Sequence, residues 1–196
     1  MQLTGRTEAS VRPAALSDAP ELTRVQRVTW RTAYRSLLPA DVLDGWDDEA
    51  VAASWAQAIS SPPTPGHAVL VAREGAEVAG FAACGPAELG GGEQPSPDGP
   101  TTEISTLLVE PRWGRRGHGS RLLAAVVDRS RETGTRRLQM WVPEPDRVTA
   151  AFLESAGWAA DGWTRVLDTG SAAIRQDRWH VLIDESDAGA DAGTAR

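Results

Sequence analysis

The stretch from Thr101 to Leu123, TTEISTLLVEPRWGRRGHGSRLL, constrains the fold more than any other part of the chain. Thr102, Ile104, Thr106, Leu107, Leu108 and Val109 are β-branched or apolar, as a buried strand requires. Pro111 cannot donate to a continuing ladder, so the strand should stop near Val109. Gly114, Gly117 and Gly119 then permit positive φ and close approach of a ligand to the backbone, and Ser120 opens a run in which Leu122, Leu123, Val126 and Val127 have helical spacing. A strand, a tight turn and a helix in that order aim several unpaired N–H groups and the positive end of a helix dipole at one point. Such a point favours a phosphate or pyrophosphate.

Arg112, Arg115, Arg116 and Arg121 crowd this turn in a chain whose formal net charge is −7, so the local charge runs against the composition. Solvated surface arginines would explain the charge but not three glycines between a strand and a helix. Two familiar phosphate loops fail on their own residues. A Walker A loop needs a lysine, and all 20 basic residues here are arginine. A dinucleotide fingerprint needs a third glycine, whereas Gly117-His118-Gly119 continues as Ser120-Arg121-Leu122.

The frame Gly114-Arg115-Arg116-Gly117-His118-Gly119 resembles the Arg/Gln-x-x-Gly-x-Gly/Ala turn of the GNAT superfamily of acyl-CoA-dependent N-acetyltransferases, with Gly in place of the first Arg or Gln. The similarity extends to Ser10–Ala14 and the helical run through Leu22, Val25, Val28 and Leu37, and to the segment Arg31 to Pro39. It continues through Arg137 to Val142 and through DRVTAAFLESAGW, Asp146 to Trp158, so it spans about residues 8 to 183. The resemblance implies a single α/β domain with a mixed six- to seven-stranded central sheet flanked by helices on both faces. It also implies acetyl-CoA as cosubstrate and no metal, in a cleft between the strands ending near Val109 and Val142. Coenzyme contacts are implied for Leu107, Leu108, Val109, Arg112, Gly114, Arg115, Arg116, Gly117, His118, Gly119, Ser120, Asp146 and Phe152. Two positions depart from the helix motif: Asp146 stands for the usual Asn, and Leu153 stands where many members place the tyrosine that protonates the departing thiolate.

The implied reaction is direct attack of an amine on the thioester, without a covalent enzyme adduct, since no activated nucleophile is visible. Glu103, eleven positions before Gly114, matches the catalytic glutamate of several members and is expected to take the ammonium proton. A carboxylate that only binds the acceptor or a water is the competing reading. Tyr34, the single tyrosine, is the one phenol able to replace the acid lost at Leu153, although its helical setting also suits plain packing. Trp30, Trp141 and Val142, with Glu103, are the expected acceptor-side residues. A non-catalytic acyl-CoA sensor and a protein or peptide N-acetyltransferase stay as alternatives.

The rest of the chain is less specific. The sequence predicts a domain over 1–184, with a mobile Gly/Pro-rich loop at 85–100 and a flexible tail at 185–196. The loop is either an insertion or a flap over the acceptor. Asp47 or Asp48 should cap a helix bearing Val51, Trp55 and Ile59, and hairpins should form about Glu74-Gly75-Ala76 and Thr169-Gly170-Ser171. A single cysteine, Cys84, allows no intramolecular disulfide. No leader and no apolar run of about 20 residues is present, so a cytoplasmic protein without a membrane partner is expected. A pI near 5.0 disfavours nucleic acid and mildly favours a cationic acceptor, a small-molecule amine or a peptide. A homodimer is left open.

Overall fold

The computed structural model describes residues 9–90, 93–169 and 172–183. The predicted tail at 185–196, and Gly170 and Ser171 of the second hairpin, lie outside them. Seven strands form one sheet in the order β1-β2-β3-β4-β5-β7-β6. They are β1 (Ala9–Pro13), β2 (Ala68–Glu74), β3 (Glu77–Pro86), β4 (Thr101–Val109), β5 (Arg137–Pro143), β6 (Ala159–Asp168) and β7 (Ala173–Leu182). The helices are α1 (Ala19–Thr32), α2 (Ala40–Asp44), α3 (Asp48–Ser60), α4 (His118–Glu132) and α5 (Arg147–Ser155).

Period-two alternation in the central strands feeds two cores. Leu70 and Ala72 of β2 face one side with Ile104, Leu122, Val126 and Leu153, so α4 and α5 cover that face. Val69 and Val71 face the other with Leu22, Val25, Phe81 and Leu108, under α1 and α3. Helices therefore lie on both faces, as expected. Asp47 caps α3 by accepting from the amides of Glu49 and Ala50, and Gly75 supplies the positive φ of the β2–β3 turn.

All neighbouring strands are antiparallel except β4 and β5. That parallel pair is short: it joins Thr101 to Arg137, Thr102 to Leu138 and Glu103 to Gln139. Beyond Glu103 the two strands separate, each still paired on its outer side, to β3 and β7. A β-bulge lies at the point of separation. Ile104 pairs with Cys84 and Thr106 with Ala83, which leaves Ser105 as the extra residue, its hydroxyl donating to the Ala83 carbonyl at 3.2 Å. A bulge bends and twists its strand, and here it turns β4 away from β5 into an open wedge.

Candidate functional site

The turn after β4 has the predicted backbone chemistry. A 3-10 turn, Pro111–Trp113, leads into residues with positive φ, Arg115 at 62° and Gly117 at 79°, and Gly117 is the N-cap of α4. The first intrahelical bond runs from the Arg121 amide to the Gly117 carbonyl, so His118, Gly119 and Ser120 keep amides with no partner inside the helix. The ring of Phe152 lies over Gly119, where an added Cβ would sit 3.2 Å from its Cζ. Successive free amides at a helix N-terminus fit a pyrophosphate.

The side chains around that turn divide. Arg115, Arg116 and Arg121 are exposed, and Arg121 braces the loop by donating to the Arg116 carbonyl at 2.9 Å. Arg112, expected on the phosphates, instead bonds the carboxylates of Glu110 and Glu77, each at 2.7 Å. The His118 ring is buried, with Nε2 2.9 Å from Glu74, and burial pulls its pKa below the usual imidazole value against the opposing effect of that carboxylate. Only the main chain of His118 faces a ligand.

Alternation along the β3–β4 ladder fixes which amides face the wedge. The Glu110 amide donates to the Ala79 carbonyl in β3, so in that register Leu108 also points to β3, while the amides of Leu107 and Val109 point the other way. The Leu108 side chain is core against α1 and α3. Across the wedge, Trp141 and Val142 pair on their other side with Arg178 and Asp177 of β7.

Glu103 sits where the two strands part. Its Oε2 accepts from Gln139 Nε2 at 2.8 Å and from the Trp141 indole at 3.2 Å, and its Oε1 is 3.9 Å from Arg165 Nη1. Its surroundings are polar. Glu103 opens into a cavity of about 930 Å³ whose walls come from α3 (Trp55), the β3 end (Ala83 to Pro86), the following loop (Glu88, Leu89, Glu93) and β6 (Trp163, Arg165). The loop is tied down at Glu93, whose carboxylate pairs with the buried Arg178; Arg178 also bonds Asp161 at 2.8 Å. Trp30, expected on this cavity, packs edge-to-face on Trp46 at 5.3 Å beneath the α1–α3 face and is absent from the walls. Val142 is buried in the opposite core.

Tyr34 corrects the helical expectation, because α1 ends at Thr32 and the phenol follows in a turn. Its hydroxyl lies beside Asp146 and Thr149 at the start of α5, close enough for the Asp146 charge to act on it. Asp146, expected on the coenzyme, is committed to capping: it accepts from the Thr149 amide at 3.0 Å and hydroxyl at 2.7 Å. Tyr34 packs with the α1–α3 core beside Asp146, the cap of α5, whose Leu153 is wholly buried in the other core, so it bridges the two sides of the sheet. Burial, followed by the Asp146 charge, pushes its pKa up to about 12. A phenol held there is a poor donor to a thiolate whose conjugate acid lies near ~8.5.

Tyr34 is the only tyrosine, so its ionisation is readable without interference from other phenols. The phenolate absorbance should rise with a midpoint about 12, and Asp146→Asn should lower that midpoint without restoring the free value, since burial is the larger cause. With the folded value above the unfolded one, the linked stability is complete below the unfolded pKa and is lost as pH climbs through the folded one. A midpoint near the free phenol value in the native protein would refute the bridge.

The side chains not anticipated from sequence are Gln139, Trp55, Trp163, Arg165 and the loop acids Glu88 and Glu93. Among the described residues no group of three or more His, Cys, Asp or Glu is placed to hold a metal ion, and no helix is long and apolar enough to cross a membrane.

Comparison with known proteins adds four findings. The family described as "Acetyltransferase (GNAT) family" matches residues 27–158. The chain is 31% identical over 161 residues to an uncharacterized N-acetyltransferase, YuaI, of Bacillus subtilis (strain 168), covering 76% of this chain and 86% of that one. It is 35% identical over 137 residues to the mycothiol acetyltransferase of Kineococcus radiotolerans, covering 65% of this chain but 42% of that longer protein. Among solved structures, yncA of Salmonella typhimurium with its cofactor acetyl-CoA superposes with a TM-score of 0.64 at 19% identity, covering 94% of this chain and 99% of that one.

Proposed function

Since this chain belongs to the GNAT family of acetyltransferases, we propose that it transfers an acetyl group from acetyl-CoA to a primary amine held beside Glu103. The observation that carries the proposal is the position of Glu103 both where β4 parts from β5 and on the wall of the cavity. The amides of residues 118–120 bind the pyrophosphate, assisted by Arg115 and Arg116, and the wedge takes the pantetheine arm. Leu107 and Val109 offer N–H groups to the thioester oxygen as negative charge develops there. Glu103 receives the ammonium proton, directly or through a water, and the free amine attacks the carbonyl. Tyr34 positions Asp146 and the start of α5 and does not deliver the proton, because the thiolate is a tolerable leaving group at neutral pH.

Walls on several sides support a small acceptor over a protein segment lying in an open groove. We read it as a one-domain cytoplasmic protein, a reading supported by a single buried cysteine, which suits a reducing compartment. Calorimetry with acetyl-CoA and release of free thiol over a panel of amines test the function together. Cys84 is buried and its thiol is pushed up by that burial, so a thiol reagent should report coenzyme release over protein background. Acetyl-CoA binding with amine-dependent thiol release is expected; binding with no turnover across a broad panel would support a sensor instead.

A further inference from the structure

Arg165 is the unexplained charge of the acceptor cavity. Other guanidiniums of this region are matched at close range: Arg137 bonds Asp161 at 2.7 Å, and Arg178 bonds Asp161 at 2.8 Å and also pairs with Glu93. Among the described residues Arg165 has no carboxylate nearer than Glu103 at 3.9 Å. Its position is nonetheless fixed, with Nε donating to Gln176 Oε1 at 2.7 Å and the guanidinium lying 4.5 Å over the Trp141 ring. This orients the remaining N–H groups on a cavity wall, next to the carboxylate that faces the amine. Burial lowers its pKa and Glu103 offsets that only in part, as expected of a cation short of a counter-charge.

We propose that the acceptor is an α-amino acid with an apolar or aromatic side chain, its carboxylate held by Arg165 and its amine by Glu103. This rests on the transferase reading above. An α-amino acid carries opposite charges on two groups bonded to one carbon, which matches an acid and a guanidinium side by side on one wall. Beyond that pair the walls include Trp55, Val69, Leu89 and Trp163, which suit an apolar side chain. A simple amine or polyamine leaves the guanidinium with no negative partner closer than Glu103. A peptide N-terminus presents an amide carbonyl in place of the carboxylate.

The test compares free amino acids with their α-amides and with the corresponding decarboxylated amines, in thiol release and in binding read by tryptophan fluorescence with acetyl-CoA present. The free acid should exceed both analogues by about 10²-fold in kcat/KM, because a site built for a charged group rejects a partner lacking it. Arg165→Met should collapse that ratio, and Arg165→Lys should restore part of it. Calorimetry with acetyl-CoA shows that the variants remain folded, since Arg165 lies on β6, away from the phosphate turn. Equal use of the acid and its analogues, or a preference indifferent to Arg165→Met, overturns the proposal. Arg165-dependent binding of the acid without thiol release upholds the carboxylate site while refuting transfer.

Discussion

Glu103→Gln is expected to lower kcat/KM for the acceptor by about 10²–10³-fold, the range typical of a removed general base, and to leave acetyl-CoA affinity unchanged. The substitution is structurally mild. Gln139 and Trp141 both donate to the same oxygen, Oε2, so the single carbonyl of glutamine can satisfy both. Its amide then replaces Oε1 on the side of Arg165, where the separation of 3.9 Å tolerates it. What disappears is the ability to take a proton. The pH dependence of kcat/KM should flatten with the rate, which a lost packing contact would not produce. Wild-type rates with a wild-type pH profile would remove Glu103 as the base.

Gly117→Val should weaken acetyl-CoA binding by about 10²-fold, equivalent to losing one or two hydrogen bonds to a charged group. At φ 79° a β-branched residue is strongly disfavoured, and the new Cβ would meet Arg121 Nη1 at 3.1 Å. Arg121 is itself bonded to the Arg116 carbonyl, so the strain is relieved by rotating the turn, which swings its amides off the phosphates. Gly119→Ala should do less harm, because its contact at 3.2 Å is with the edge of the Phe152 ring, which can tilt. Calorimetry measures the affinities, and a thermal melt separates loss of binding from loss of fold. Undiminished affinity in the valine variant would show that the coenzyme is held elsewhere.

Local chemistry made the first half of the site legible. β-branched residues before Pro111, glycines at the turn and helical spacing after Ser120 require nothing beyond near neighbours, and β4, the turn and α4 follow them. Asp47 and Gly75 acted through the same short range. Long-range features escaped. The bulge at Ser105 shifts the side-chain phase of β4, so Ile104 and Leu107 share a core where strict alternation would separate them. Arg165 reaches Glu103 only through the register of β6 on β7, which Gly162, at φ 84°, and an irregularity between Ala160 and Thr164 reset. Arg112 looked like a phosphate ligand by proximity in sequence, yet Glu77 and Glu110 claim it. Trp30 had the right composition for a binding wall, but its helix faces Trp46.

The tie between Glu93 and Arg178 has one further consequence. Two walls of the acceptor chamber, the glycine-rich crossover and the β6–β7 ribbon, are moored to each other, and the described residues lining that chamber include none of the phosphate turn, 111–120. Substrate preference and coenzyme handling are therefore separable inheritances of this scaffold: exchanging residues 86–93 together with 159–165 retunes the first without disturbing the second.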